Sequence, residues 1–399
     1  MSRVLRDAYI VAATRTPIGK APRGALRHVR PDDLLVRALR SLTASVPSFD
    51  PRKLDDLIVG CAMPEGPQGL NVARIGALLA GLPNTVAGVT VNRFCAAGLT
   101  AVAMAADRIR VGEADAIIAA GTESMSQVPS GGNAPSLNPS LFFDDANVAI
   151  AYGMGITAEK VAERWKVSRE DQDAFALDSH RKAARAQESG WFQAEITPVD
   201  VEERHPDLAS GRVETKTRTL SLDEGVRADT SLEALARLKP VFAAKGSVTA
   251  GNSSQTSDGA GALLVVSETV LKQFNLTPLA RFVSFAVKGV PPEVMGIGPK
   301  EAIPAALALA GLKQEDLGWI ELNEAFAAQS LAVVRDLHLN PEVVNPLGGA
   351  IALGHPLGAT GAIRSATVVH GLRRTQRKYG MVTMCVGTGM GAAGIFERL

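Results

Sequence analysis

The sequence predicts an α/β fold built from two similar halves. Short β-rich runs alternate with helical stretches and glycine-rich turns along 399 residues. Several of the runs are continuously apolar, as expected of sheet strands covered on both faces. The two ends of the chain also repeat one another in the order of their motifs. Alternating β and α segments of this kind give layers of sheet and helix.

The candidate strands are residues 9–13, 57–61, 116–120, 263–267, 280–287, 319–322 and 381–386. Between the first two, Pro31 suits the first position of a helix, and Asp32 and Asp33 suit the positive end of its dipole. Leu34, Leu35, Ala38, Leu39 and Leu42 give that helix one apolar stripe. Ser168, with Asp171 at the third helical position, caps a second helix running towards Gly190. Residues 301–310 and 324–337 read likewise, the first of them stopped by Gly311.

The duplication rests on three echoes. Leu54-Asp55-Asp56-Leu57 before one strand matches Gln314-Glu315-Asp316-Leu317 before another. Val91-Asn92 ahead of a Gly/Ala-rich turn and helix matches Val344-Asn345. Ala120-Gly121-Thr122 ending one strand matches Val386-Gly387-Thr388 ending another. The offsets are similar and the order is kept, which favours two related halves. The middle of the chain differs: residues 126–147 are rich in Pro, Gly, Ser and Asn and read as a loop, and residues 204–227 are polar and charged. This central third reads as an insertion, a common place for binding groups.

Composition narrows the partners. With 42 Lys+Arg against 41 Asp+Glu, the net charge of +1 gives no reason to expect nucleic acid or an anionic membrane. The most basic stretch, residues 373–378, reads as a solvated face. No apolar run approaches the ~18–20 residues of a membrane span. Arg3, Arg6 and Asp7 interrupt any signal-peptide core, so a cytoplasmic protein is expected. Asn252-Ser253-Ser254 matches a glycosylation sequon, which has no meaning in a chain that is not exported. Cys61, Cys95 and Cys385 are odd in number, widely spaced and without a CxxC pair. That argues against a disulfide framework and against a structural metal.

Four segments carry chemistry. In Val91-Asn92-Arg93-Phe94-Cys95-Ala96-Ala97-Gly98 a strand ends and a small-residue helix opens. Cys95 would therefore sit at a helix N-terminus, where free N–H groups stabilise a thiolate nucleophile. The plainer alternative is a buried structural cysteine. In the second segment Gly348, Gly349, Gly354, Gly358 and Gly361 surround His355, which follows Gly354 and precedes Pro356. That setting suits a general base acting on a cysteine, or a hydrogen-bonded structural histidine. In the third, a strand ends at Cys385 and a glycine turn, Gly387 to Gly391, can point N–H groups into a site. Its literal GxGxxG match from Gly389 to Gly394 is no dinucleotide site, because only five residues follow. In the fourth, Asn323 stands where a strand meets a helix; its amide can hold a water or an oxyanion, or simply cap the helix.

Together these segments resemble the thiolase family across nearly the whole chain. The family patterns are Asn92-Arg93-Phe94-Cys95, Asn323 to Ala327, Gly354-His355-Pro356 through Gly361, and Cys385-Val386-Gly387-Thr388-Gly389. Thr249 to Ser254 with Asp258-Gly259, and Val294 to Pro299, belong to them as well. The resemblance implies two duplicated βαβαβαββ halves in a five-layered α/β/α/β/α core with an inserted loop domain. The implied division is 1–125 with about 240–276 for the first half, 126–239 for the coenzyme-binding loop domain, and 277–399 for the second half.

By the same resemblance, Cys95 is the acyl-accepting nucleophile, His355 its base and Cys385 a second acid/base. Asn323 orients a water that forms one oxyanion hole with His355, and the backbone N–H groups of Cys95 and Gly387 form the other. Arg227, Phe242, Ser254, Met154 and Met295 fall at substrate or coenzyme A positions. The implied reaction is cleavage of 3-ketoacyl-CoA by CoA to acetyl-CoA and a shortened acyl-CoA, through a cysteine thioester. No permanently bound cofactor is implied, and coenzyme A is a substrate. Two positions depart from the short-chain acetoacetyl-CoA members, Gly153 ahead of Met154 and Gln255 after Ser254. They point to degradative 3-ketoacyl-CoA thiolases rather than to an acetyl-CoA acetyltransferase. Ala97 stands where a serine is common, so it reads as packing. A decarboxylating ketoacyl synthase or a thiolase-like lipid carrier would not need Cys385 in that turn together with Cys95. The short loop at 126–147 implies a homodimer rather than a tetramer, and a hydratase–dehydrogenase partner subunit is compatible with the activity. Cys61 reads as core.

Overall fold

A computed structural model describes residues 5–399. The first half runs β1 (Tyr9–Arg15), α1 (Pro31–Ala44), β2 (Asp56–Gly60), α2 (Val72–Ala80) and β3 (Val89–Val91). It continues with α3 (Ala97–Arg110) and β4 (Ala116–Ser124). The inserted segment holds α4 (Met154–Arg164), α5 (Arg169–Glu188) and an antiparallel hairpin of β5 (Val199–Asp207) and β6 (Arg212–Leu220). The chain then returns to the first half through β7 (Ser257–Val266). The second half runs β8 (Ala280–Gly289), α6 (Gly298–Ala310), β9 (Leu317–Leu322) and α7 (Ala327–Asp336). It closes with α8 (Leu357–Thr375), β10 (Tyr379–Val386) and β11 (Met390–Arg398).

The strands line up as β9-β10-β11-β8-β1-β7-β4-β2-β3, with a two-residue strand, Gly19–Lys20, beside β7. β8 and β1 meet over only two residue pairs, Tyr9 with Arg281 and Ile10 with Ala280. On either side of that contact the plan is the same. β2 pairs in parallel with β4 and β3, while β9 pairs in parallel with β10 and bridges Val344 through Ile320. β4, β7 and β1 are antiparallel neighbours, as are β10, β11 and β8. The echoed motifs therefore occupy equivalent strand ends.

The layers follow from which faces are apolar. Leu34, Leu35, Leu39 and Leu42 of α1 are fully buried against the outer face of the first set of strands, where α2 also packs. Each such side chain contributes ~1.5–3 kcal/mol, and truncating Leu39 to Ala would cost ~2–5 kcal/mol. α6 and α7 cover the outer face of the second set. α3 and α8 pack on each other between the two sets. The result is five layers in the order α/β/α/β/α. Pro31 occupies the first turn of α1, Ser168 accepts the Asp171 N–H at 3.1 Å to cap α5, and Gly311 ends α6 in the left-handed region at φ 65°.

Several strands run beyond the spans read from sequence, β4 on to Ser124 and β7 back to Ser257 among them, and two helix starts and one hairpin also differ. α7 starts at Ala327 rather than at residue 324, because Phe326 is extended (φ −146°, ψ 146°) and bridges Ser253. α6 opens at Gly298, one turn before residue 301. Most of the hairpin falls in the polar stretch: Val199 and Val201 of β5 are buried, but Val213, Thr215, Thr217 and Thr219 of β6 alternate and are all exposed, so little buried face marks it in sequence.

Candidate active site

Cys95 is positioned by a local turn. The Asn92 side chain accepts the Phe94 N–H at 2.8 Å and donates to the Ala62 carbonyl at 3.0 Å. This bends the chain sharply after β3, with Phe94 at φ 44°, a strained value for a bulky residue. Cys95 follows in a single 3₁₀ turn, Phe94–Ala96, ahead of α3. Burial pushes its thiol up to about 11, against the N–H groups of Gly387 and of Cys95 itself, which pull it down, while Glu123 adds to the rise. A helix N-terminus alone favours the thiolate; here desolvation outweighs it, so Cys95 rests as a thiol.

His355 opens α8. Gly354 at φ 102° turns the chain, and the His355 N–H donates to Ser257 Oγ at 3.0 Å. On the ring, Nδ1 lies 2.6 Å from Thr360 Oγ1, whose own proton goes to the Pro356 carbonyl at 3.1 Å. Thr360 therefore accepts Nδ1–H, which leaves a lone pair on Nε2. That nitrogen faces the Asn323 amide nitrogen at 3.3 Å. Burial, assisted by the charge of Arg364, pushes the imidazole down to about 3, so it is neutral at pH 7. Asn323 does not cap α7; Phe326 holds that place. Asn323 Oδ1 is buried without a hydrogen-bond partner.

Cys385 ends β10 in an apolar cluster with Ala158, Val248, Met295, Ala325 and Phe326. Burial pushes its thiol up, and the nearby Cys95 adds to the rise. The carboxamide of Gln329 on α7 lies 3.3 Å from its sulfur. Beyond Cys385 the chain turns through Thr388 (φ 67°) and Gly389 (φ 92°), which aims the Gly387 N–H at the Cys95 sulfur.

Glycines bring the two halves this close. A Cβ on Gly361 of α8 would lie 2.0 Å from the Leu99 nitrogen of α3, and one on Gly98 would lie 2.7 Å from the Ala362 nitrogen. The first turns of α3 and α8 thus touch backbone to backbone, with Cys95 and His355 just ahead of them. Buried Glu123 ties the same region together by accepting N–H groups from Ala62 at 2.7 Å and Gly358 at 2.8 Å. Cys61 is fully buried, 3.8 Å from Glu123, and burial pushes its thiol up.

A cavity of about 640 Å³ adjoins this cluster, lined by Arg227, Phe242 and Ser254 together with Lys20, His180 and Gln255. Its wall meets the Asn323 segment where the Ser254 N–H donates to the Ala325 carbonyl at 2.9 Å. The Phe242 ring stands edge-on to Phe326 at 6.0 Å and closes over Gly155, where a Cβ would lie 2.1 Å from the ring. Met154 sulfur comes within 3.9 Å of a Cβ built on Gly387, and Met295 packs beside Cys385. Another cavity, of about 660 Å³, lies by Arg27, Asp33 and Glu202 and includes none of these residues. Among the described residues, no group of three or more His, Cys, Asp or Glu side chains could hold a metal ion.

So Cys95, His355, Asn323, Cys385 and Gly387 form one cluster. Arg227, Phe242 and Ser254 line the adjoining cavity, and Met154 and Met295 pack at the cluster itself. Gln329, Lys20 and His180 have no motif of their own, and Thr360 lies within the pattern at residues 354–361 without a role of its own read from it. A polar residue on the buried stripe of α7 is the one sequence signal Gln329 offers.

Residues 8–269 match the family model described as thiolase, N-terminal domain, and residues 276–398 match thiolase, C-terminal domain. The chain belongs to the thiolase family. It is 50% identical over 398 residues to a 3-ketoacyl-CoA thiolase of Bacillus subtilis (strain 168), covering 98% of this chain and 100% of that one. A peroxisomal 3-ketoacyl-CoA thiolase A of Rattus norvegicus is 48% identical over 392 residues, covering 98% and 88%. Among solved thiolases, human mitochondrial 3-ketoacyl-CoA thiolase superposes with a TM-score of 0.89 at 38% identity, covering 99% and 100%. The acetyl-CoA acetyltransferase of Bacillus anthracis gives the same 0.89 and 38%, covering all of both chains. Fold similarity alone thus does not separate the two named thiolase activities, whereas these sequence relatives carry one name.

Proposed function

We propose that this thiolase cleaves 3-ketoacyl-CoA with CoA, giving acetyl-CoA and a shortened acyl-CoA by a ping-pong route through Cys95. One observation carries the reading: a neutral imidazole whose Nε2 lone pair faces the Asn323 amide, two cysteines and converging N–H groups share one buried cluster. The 3-ketoacyl-CoA thiolase names at 48% and 50% identity support the degradative direction.

His355 takes the Cys95 proton as the sulfur attacks the 3-keto carbon, so the ion pair forms only as the bond does. Protonated Nε2, with Asn323 beside it, then becomes a donor to the CoA thioester oxygen on which enolate charge collects, while the new oxyanion on the 3-keto carbon lies at the N–H groups of Cys95 and Gly387. The carbon–carbon bond breaks towards the acetyl-CoA methylene carbon, which takes its proton from Cys385. The acyl thioester left on Cys95 places its carbonyl oxygen at the N–H groups of Cys95 and Gly387. Finally CoA gives its thiol proton to the Cys385 thiolate and attacks the thioester, and Cys95 leaves as it takes back the proton held on His355. One oxyanion donor is commonly worth ~3 kcal/mol, and a positioned acid/base ~10²–10⁴ in rate.

Arg227, Phe242 and Ser254 in the cavity suit the coenzyme's phosphates and pantetheine arm, with Met154 and Met295 at the acyl end. The repeated strand plan supports the division into halves 1–125 with about 240–276 and 277–399 around a loop domain, 126–239. β3 is an edge strand with Val89 exposed, which suits pairing of two copies into a homodimer. Three free cysteines suit a reducing cytoplasm.

Mixing the enzyme with acyl-CoA and digesting it for mass spectrometry should give an adduct on the Cys95 peptide. Cys95→Ser should lose the adduct, and Cys385→Ala should keep it without turning over. An adduct on Cys61 alone, with full activity in Cys95→Ser, overturns the reading. Thiolysis rates across chain lengths from four to sixteen carbons test the substrate class; activity confined to acetoacetyl-CoA would favour the acetyltransferase reading.

A further inference from the structure

We infer that Gln329 is a positioning residue for Cys385, its carboxamide N–H donating to the sulfur and holding the thiolate that the reaction creates. This rests on the proposed role of Cys385.

The orientation of the amide follows from its neighbours. One end lies 2.8 Å from the Ser330 backbone N–H and 2.9 Å from Ser330 Oγ. A backbone N–H can only donate, so the oxygen of Gln329 must face it. The NH2 group then points the other way, towards the Asn323 carbonyl at 3.3 Å and the Cys385 sulfur at 3.3 Å. Its two hydrogens match those two acceptors. The opposite orientation would set NH2 against the Ser330 N–H and carbonyl oxygen against carbonyl oxygen. Gln329 is fully buried on α7, so bulk solvent does not compete for its amide.

The need for such a donor comes from the surroundings. Apolar Ala158, Val248, Met295, Ala325 and Phe326 cluster with Cys385, burial disfavours a charge on its sulfur, and the nearby Cys95 disfavours a second negative charge. Yet thiolysis breaks the Cys385 S–H bond, moves its proton to the acetyl-CoA carbon and leaves the electron pair on sulfur until CoA returns a proton. An N–H aimed at that sulfur is ready before the charge appears, as in an oxyanion hole. The same amide grips the Asn323 carbonyl, so one side chain joins the acid/base to the segment facing His355.

The test uses Gln329→Met, which keeps length and burial but removes the donor, with Gln329→Glu as an isosteric second variant that places an acceptor at the sulfur. In the Cys95→Ser background, the pH midpoint for alkylation of Cys385 by iodoacetamide should rise by about one unit or more in either variant. In the Cys95 enzyme, kcat for thiolysis should fall about 10–100-fold with KM nearly unchanged, while acyl-enzyme formation on Cys95 persists. An unchanged alkylation midpoint, or an unchanged kcat, overturns the inference. If Gln329→Met does not fold, Gln329→Glu carries both readouts. Loss of acyl-enzyme in the otherwise unaltered protein would instead defeat the thiolase reading, since the alkylation midpoint does not depend on turnover.

Discussion

The amide nitrogen of Asn323 lies 3.3 Å from Nε2 of His355, and its oxygen has no partner although it is buried. The two residues come from different elements of the second half, one just after β9 and the other just ahead of α8. An orphaned buried acceptor costs ~1–3 kcal/mol, so it persists where something else uses it. A bridging water or a substrate hydroxyl tautomer would satisfy it. Asn323→Ala should lower kcat/KM about 100-fold, corresponding to ~3 kcal/mol. Steady-state thiolysis checks this, and a loss under threefold would remove Asn323 from the oxyanion site.

The tautomer of His355 depends on Thr360. Replacing the hydroxyl with a methyl in Thr360→Val leaves Nδ1–H facing carbon at a buried position, at a cost of ~1–3 kcal/mol. The ring is then free to carry its proton on Nε2, where it cannot act as a base. The expected result is a 10–100-fold fall in acylation of Cys95, largely restored in Thr360→Ser. Equal rates for Val and Ser would show that the hydroxyl does not matter.

Gly361 tests the contact between the halves. With a Cβ, the nearest atom would be the Leu99 backbone nitrogen at 2.0 Å, which cannot rotate away. Gly361→Ala should therefore force α8 off α3, costing ~3 kcal/mol or more of stability by overpacking. Activity should fall further than folding does at 25 °C, because Cys95 and His355 sit at the two helix starts that separate. Denaturant unfolding and thiolysis rate on the same sample compare the two losses. Full activity in this variant would be incompatible with the packing described.

His180 gives a pH dependence of known sign. Its Nδ1 accepts the Arg227 N–H at 3.1 Å. Burial and then the charge of Arg227 hold the imidazole down to about 4, against a smaller upward pull from Asp229. The unfolded chain, with an ordinary value near ~6.5, takes up the proton first as pH falls. The neutral histidine's contribution is thus fully present above that value and lost as pH drops to about 4. His180→Gln removes the term. Relative to this variant, the native protein should lose ~2–3 kcal/mol between pH 7 and pH 4 in urea unfolding. Parallel stability curves would refute the assignment.

The fold was legible where chemistry and period coincide. The echoed strand ends at Val91 and Val344, and at Ala120 and Val386, announce the repeat because each half must end its strands at the same seam. His355 and Cys385 are conspicuous because glycine turns adjoin them, and Cys95 because it stands where a strand gives way to a small-residue helix. Thr360 and Gln329 are different: one looks like an ordinary helical threonine and the other like a helical glutamine. Their importance comes from what another segment presents to them, Pro356 and the imidazole in one case, β10 in the other. The thiolate expected at Cys95 also differed, since a helix start is visible in sequence but the depth of burial around it is not. The β5–β6 hairpin escaped for the opposite reason, having almost no buried face to leave a pattern.

The two-pair contact between β1 and β8 has a consequence for how the enzyme would fail. Main-chain hydrogen bonding joins the halves so briefly that their mutual alignment depends on the α3–α8 layer. The reacting groups lie at the edge of that layer. A small slippage of one half against the other would misalign sulfur and imidazole while each half kept its own sheet intact. On warming or in mild denaturant, turnover should therefore disappear ahead of the far-ultraviolet signal of the strands, making activity a sensitive gauge of alignment between the duplicated units.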